Sequence, residues 1–334
     1  MPKLRNLYKL ADPEIRAKNV VALKRAVKGM VWTLTRPEVA GPVFVVGCSR
    51  SGTTVTYETI AASPRLLSLG HEIPEFWNGL SGPATNGWAS EAAGKEHAKP
   101  EHRDAALRFF YQRLGAGRVL DKTCINVMRI PYLHALFPDA RFVFIQRDGR
   151  DNVSSMIDGW QEHGHFGLTQ FLGPAPCEVR INDGEFTEWS FFLPPGWREY
   201  NRASLEEVCA YQWITANRLA LDARREIPAG QWIHLRYEDI FERPVEMFRE
   251  VFERLDIPFD DALRDRCATL NRRPTSIVKG PPHKEKWRTR NPEMIERILP
   301  MIAPMMKELG YETSVRGRST TGGEGDTWNL NAGW

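Results

Sequence analysis

One short segment limits the folds open to this chain more than any other: Val43-Phe44-Val45-Val46 runs straight into Gly47-Cys48-Ser49-Arg50-Ser51-Gly52-Thr53-Thr54. Four apolar residues without alternation describe a strand covered on both faces, as in a parallel sheet flanked by helices. A glycine-bounded loop between such a strand and a helix aims backbone N–H groups and the helix N-terminus at one spot. That makes an anion site whatever the side chains are. Nucleotide triphosphatase loops of this spacing place a lysine after the second glycine, then a Ser or Thr for magnesium. Here Thr53 stands in the lysine's place, and a cation, Arg50, sits inside the loop. Ser51, Thr53 and Thr54 supply further donors beside Gly52.

The rest of the chain repeats the strand–helix rhythm. Arg65–Leu69, Arg118–Leu120, Arg141–Ile145 and Trp232–Leu235 read as strands. Residues 53–62, 100–114, 127–136, 151–159, 204–226 and 244–255 read as helices, with a helical pair after them. This alternation predicts a three-layer α/β domain with a central parallel sheet, over about 41–312. Residues 160–202, rich in Gly, Pro and aromatics, break the rhythm and are expected to form an aromatic lid insertion. Trp77, Trp88, Trp160, Trp197 and Trp287 could line a pocket or close the core. Residues 313–334 are small and polar, a flexible tail.

Residues 1–40 form an N-terminal helical segment. In it Ile15, Val20, Leu23, Val27 and Val31 alternate with Arg16, Lys18, Lys24, Arg25 and Lys28. This describes either an amphipathic surface-binding helix or a packing helix with a solvated basic face, and the second is preferred. No segment approaches the roughly 20 apolar residues of a membrane span. Peripheral membrane contact stays open. Five scattered cysteines without metal spacing fit reduced thiols, and a cytoplasmic location is expected. The net charge of +3 is too small to argue for nucleic acid. His163 and His165 lack the Cys or carboxylate frame of a metal site, and no metal is expected.

A second motif makes an ordinary turn at Gly47–Gly52 an insufficient account. Gln146-Arg147-Asp148-Gly149-Arg150-Asp151-Asn152-Val153-Ser154-Ser155 follows the buried strand at 141–145. Arg147 falls at the carboxyl edge of the sheet, where open α/β folds bind ligands, and Ser155 lies in the first turns of the next helix. Asp148 and Asp151 are expected to fix Arg147 and Arg150. Two anion sites at one edge call for a ligand with two separated anionic groups.

The ordered pair RSGTT at 50–54 and RDGRDNVSS at 147–155 resembles the sulfotransferases that use 3′-phosphoadenosine 5′-phosphosulfate, over roughly residues 41–310. The resemblance implies that the first loop holds the 5′-phosphosulfate and that Arg147 and Ser155 hold the 3′-phosphate. By the same likeness Tyr237 closes the nucleotide pocket, and Lys279 and Gly280 complete the phosphate clamp. Val55 and Val278 depart from the family's usual aromatic and arginine. The adenosine bisphosphate would be the product, with no metal required.

Sulfuryl transfer to a hydroxyl or amine needs a base and a cation for the departing phosphate oxygen. Gly70-His71-Glu72-Ile73-Pro74-Glu75 ends the second strand at the same edge, so His71, Glu72 or Glu75 could reach an acceptor. The family's glutamate after this strand selects Glu72, with His71 as runner-up. Lys122 would contact the bridging oxygen, as the family's lysine does here, and Arg50 would share the leaving-group charge. The acceptor, a carbohydrate, lipid or other small molecule, and the oligomeric state are not specified. A P-loop kinase or nucleotide hydrolase, and a non-catalytic nucleotide-binding regulatory module, are the competing expectations.

Overall fold

The computed structural model describes residues 13–37, 40–162, 164–272 and 284–313. His163, Lys279 and Gly280 therefore lie outside the described residues, as does all but the first residue of the expected tail. Five strands form one parallel sheet in the order β2-β3-β1-β4-β5. They are β1 (Val43–Val46), β2 (Leu66–Ser68), β3 (Arg118–Asp121), β4 (Arg141–Gln146) and β5 (Trp232–Arg236). The helices that matter here are α1 (Pro13–Thr35), α2 (Thr53–Ile60), α3 (Pro74–Leu80), α4 (Pro100–Leu114), α5 (Ile130–Leu136), α6 (Gly149–Gln161), α7 (Leu205–Arg224), α8 (Pro244–Arg254), α9 (Asp261–Cys267) and α10 (Pro292–Glu308).

Alternate strand residues face opposite layers. Phe44, Val46, Phe142 and Phe144 join the larger core, with Trp77, Phe110, Trp160 and Trp213. Val43, Val45, Val143 and Ile145 join the smaller one, with Ile60, Phe248 and Val251. All four residues of β1 are buried, which is why its sequence shows no polar alternation.

The chain leaves β1 for the edge strand β2, returns through β3, and then crosses to β4 on β1's other side. The carboxyl ends of β3, β1 and β4 thus surround a topological switch point, where sheets of this kind leave a crevice.

The expected lid is largely internal. Phe186, Trp189, Phe192 and Trp197 are buried, and the Trp160 and Trp189 rings meet edge to face with centroids 6.0 Å apart. Gln212 of α7 donates from Nε2 to the carbonyls of Ser190 and Phe192, at 2.9 and 2.8 Å, tying the segment to the main core. Of the five tryptophans singled out from the sequence, Trp77, Trp160, Trp197 and Trp287 close the core, and Trp88 is half-buried. Among the described residues no helix is long and apolar enough to cross a membrane.

Candidate active site

The loop after β1 turns on Ser51, whose amide donates to the Cys48 carbonyl at 3.1 Å. Arg50 (φ 68°) and Gly52 (φ 103°) both take the left-handed conformation. Gly52 is required twice over. Its φ disfavours a side chain, and a Cβ there would fall 2.3 Å from Cδ2 of Tyr237. Helix α2 starts at Thr53 directly behind, and its first amides have no intrahelical acceptor. The Ser51 hydroxyl is buried without a partner among the described residues. The loop is a cradle of donors facing outward from the sheet edge.

Arg147 leaves β4 beside it. Its Nη1 donates to the Arg50 carbonyl at 2.9 Å, and its guanidinium lies 4.4 Å from the centre of the Tyr237 ring. Only 6% of Arg147 is exposed, yet its Nε has no partner among the described residues. Arg50 in turn donates from Nε to the Ser155 hydroxyl at 3.3 Å and lies 5.7 Å from the Phe166 ring. Burial, and then the charge of Arg147, push the Arg50 guanidinium below its ordinary value. Neither arginine forms an ion pair among the described residues. Arg150 does, with Asp148 accepting from its Nε at 3.0 Å and Nη2 at 2.6 Å. Asp148 also caps α6, accepting from the Arg150 amide at 2.9 Å.

Asp151 departs from its expected part. Rather than holding an arginine by hydrogen bonds, it accepts from the amides of Glu285 (2.7 Å) and Trp287 (3.2 Å), anchoring the chain that returns to α10. Trp287 is buried, so it closes the core and offers no stacking face to a nucleotide base.

At the other end of the crevice stand the β2 and β3 termini. Lys122 is 6% exposed, so it is no surface lysine. Its Nζ donates to Glu72 Oε1 at 2.5 Å and to Thr54 Oγ1 at 3.2 Å. The second carboxylate oxygen of Glu72 accepts from the Cys124 amide at 2.7 Å. Glu72 is thus aimed by two partners, and Lys122 connects it to the anion loop. The preceding Asp121 is buried and accepts from Trp77 Nε1 (3.0 Å), Asn126 Nδ2 (2.8 Å) and Thr123 Oγ1 (3.1 Å). Burial pushes its carboxyl up to about 6, against the hydrogen bonds that lower it.

His71 stands apart from this group: exposed, with Nδ1 donating to the Leu69 carbonyl at 3.0 Å. Because β2 stops at Ser68, His71 and Glu72 do not continue its alternation. Glu75 is exposed on α3.

Two contributors were not read from the sequence. Glu238 accepts from the Asp148 amide (3.0 Å) and the Tyr311 hydroxyl (2.8 Å), clamping the end of β5 to the end of β4. Burial pushes its carboxyl up. Its place after Tyr237 was the one available signal. Phe166, from the aromatic insertion, had none that separated it from its neighbours. Among the described residues no group of three or more His, Cys, Asp or Glu side chains could hold a metal ion.

Comparison with known proteins agrees with this geometry. The model of the "Sulfotransferase family" matches residues 42–176 and 184–261. Protein-tyrosine sulfotransferase A of Caenorhabditis elegans is 23% identical over 290 residues, covering 81% of this chain and 67% of that protein. Protein-tyrosine sulfotransferase 1 of Danio rerio is 24% identical over 292 residues, covering 81% and 72%. Among solved structures, sulfotransferase STF9 from Mycobacterium avium superposes with a TM-score of 0.51 at 14% identity, over 90% of this chain and 87% of that one, a likeness of fold. The turns after β1 and β4 and the Glu72–Lys122 pair lie at one sheet edge inside the matched region, and the chain belongs to the sulfotransferase family, as an enzyme that transfers sulfate.

Proposed function

We propose that the chain moves a sulfuryl group from 3′-phosphoadenosine 5′-phosphosulfate to an acceptor hydroxyl by direct in-line displacement, with Glu72 as base. The observation that carries this reading is the continuous link Glu72–Lys122–Thr54, which joins a carboxylate at the acceptor side to the anion loop. Glu72 takes the acceptor proton as the acceptor oxygen attacks sulfur. The bond from sulfur to the 5′-phosphate oxygen breaks, and its electron pair stays on that oxygen. Lys122 has three donors, so it can keep Thr54 and Glu72 while meeting the departing oxygen. Arg50 shares the charge that develops there.

The donor's two anionic ends fit the two turns. Amides at the start of α2, with Ser51, Gly52, Thr53 and Thr54, face the 5′-phosphosulfate. Arg147, whose Nε has no partner among the described residues, faces the 3′-phosphate. The Ser155 hydroxyl accepts from Arg50 and so keeps its own proton to donate to the same phosphate. Tyr237 walls the pocket and supports the Arg147 guanidinium over its ring.

We assign the acceptor body to a cleft of about 500 Å³ in the insertion, lined by Trp88, Leu172 and Trp189 and by the charged Glu178, Arg180 and Asp183. That lining suits a ring-bearing small acceptor. The same segment reaches the catalytic end, since Cys124, whose amide holds Glu72, donates its thiol to the Phe191 carbonyl at 3.5 Å.

Isothermal titration with 3′,5′-adenosine bisphosphate in EDTA tests the donor assignment, with ATP and magnesium alongside. Metal-free binding of the bisphosphate that weakens in Arg147→Ala is the expected result. Binding of ATP with magnesium alone would overturn it.

A further inference from the structure

Helix α1 packs by one side only. Gly29 lies against Gln112 and Arg108 of α4, and the Trp32 ring meets Tyr111 with centroids 5.5 Å apart. Arg36, just past the helix, pairs with Asp104. At roughly 100° per residue, Val20, Leu23, Val27, Met30, Val31 and Leu34 fall together on the opposite side. All six are exposed, Leu23 at 66%, Met30 at 60% and Leu34 at 84%. Among the described residues, the large apolar side chains left this open all belong to α1, apart from Phe171. Scattered exposed apolar residues are ordinary; a six-residue row on one helix face marks a contact surface. The expected packing helix with solvated basic residues is present, Arg16, Lys18, Lys24 and Arg25 being exposed, and the structure adds an apolar row exposed beside them.

We propose that this face of α1 docks the enzyme in the plane of an anionic lipid surface. The charges beside the row decide the partner. At 100° per residue Arg16 continues the row and Lys24 and Lys28 follow along its edge, whereas Lys18 and Arg36, on the side toward α4, pair with Glu14 and Asp104. An apolar stripe bordered by cations is the arrangement that sinks into the boundary between headgroups and acyl chains while its flanks meet lipid phosphates. The competing occupant is a second copy. The spacing Val20, Leu23, Val27, Met30, Leu34 is that of a two-helix seam. Pairing α1 with itself, however, would bring two cation-rich helices side by side with Lys24 bordering the seam and Arg16 continuing its line. Like charges oppose that contact and favour the lipid one.

The test is co-sedimentation of the full chain with extruded vesicles of phosphatidylcholine containing about 30% phosphatidylglycerol, or none. The chain is expected to partition onto the anionic vesicles at least tenfold better than onto phosphatidylcholine alone, and to lose much of that preference at raised salt. The triple variant Leu23→Ser, Val27→Ser, Leu34→Ser is expected to bind about tenfold or more weakly, with its unfolding temperature and its affinity for the adenosine bisphosphate retained. Lys24→Glu with Lys28→Glu leaves the stripe whole, and is expected to abolish the preference for anionic vesicles. Equal binding to both vesicle types, or none to either, would overturn the proposal. So would a dimer in sedimentation velocity that the triple variant converts to monomer, which would assign the face to a second copy.

Discussion

At the carboxyl end of β4, Arg147 and Arg50 lie together without an ion pair among the described residues, whereas at the ends of β2 and β3 Lys122 and Glu72 are closed on each other at 2.5 Å. The same crevice thus holds charge in two ways. Two buried guanidiniums cost free energy until an anion arrives, and the cost shows in the lowered Arg50 value. On the function proposed above, that side binds the donor. The closed pair is neutral as a unit and contributes little to capturing an anion from water, yet it keeps a carboxylate oriented beside a cation. On the same reading, that side reacts. Arg147 and Arg150 repeat the contrast within one motif, since Asp148 occupies Arg150 and leaves Arg147 open.

The comparison breaks most directly at Glu72. Glu72→Gln keeps the shape but cannot take a proton, and a positioned base contributes about 10²–10⁴ in rate. We expect kcat to fall by that order while bisphosphate affinity stays within a few fold, read by steady-state kinetics and calorimetry on one preparation. Unchanged kcat would move the base elsewhere. Arg147→Ala should do the reverse. Hydrogen bonds to charged groups are worth about 1.5–3 kcal/mol, so bisphosphate affinity should fall roughly 10- to 150-fold. Arg150→Ala serves as its control. If the occupied arginine mattered as much as the open one, the division into binding and reacting sides would fail.

Gly52→Ala tests the joint between the two sides. The new Cβ meets the Tyr237 ring at a positive φ, and strain of this kind costs about 1–3 kcal/mol. We expect a lower unfolding temperature together with weaker bisphosphate binding, because the ring that must yield also supports Arg147. Destabilisation without any loss of affinity would show that the Tyr237 wall is not part of the donor site.

Asp121 offers a pH readout beneath the reacting side. Its carboxyl titrates at about 6 rather than 3.8, raised by burial. The folded chain therefore holds this proton more tightly than the unfolded one. The contribution is full below about pH 4 and is lost as pH rises through about 6. Asp121→Asn can keep the Trp77 and Asn126 bonds through its oxygen and donate to Thr123. Its urea midpoint, compared with that of the native chain, should improve progressively between those two values, by about 1–2 kcal/mol, and hold level above them. A difference independent of pH would refute the raised value.

Local pattern made much of this legible. Strands buried on both faces, and glycines at a strand–helix turn, carry their structure in a few consecutive residues. The strands and the turns after β1 and β4 could thus be placed to within a residue or two. What spanned the fold could not be read. The bond between Glu72 and Lys122 joins residues fifty apart, and Asp151 finds its partners near 285 rather than in its own motif. The α1 pattern shows two usable faces, and only α4, far along the chain, decides which is covered. The insertion's aromatics looked alike in sequence, although Phe192 and Trp197 are core residues and Phe166 stands over Arg50.

The smallest expected effect belongs to His71, and it sharpens the assignment of the base. Histidine is a residue type that often serves as a general base, so sequence alone could not dismiss the one next to Glu72. In the fold its ring is exposed and Nδ1 is engaged with the Leu69 carbonyl, while Glu72 is held by Lys122 and the Cys124 amide. An exposed side chain with one local bond changes free energies by about 0.5 kcal/mol when removed, so His71→Ala should leave kcat within about twofold. The pH–rate profile is the more searching readout. If Glu72 is the base, the acidic limb should stay where it is in His71→Ala and vanish in Glu72→Gln. If that limb moved with His71 instead, the imidazole would be the proton acceptor and the Glu72–Lys122 pair a support for the lysine alone.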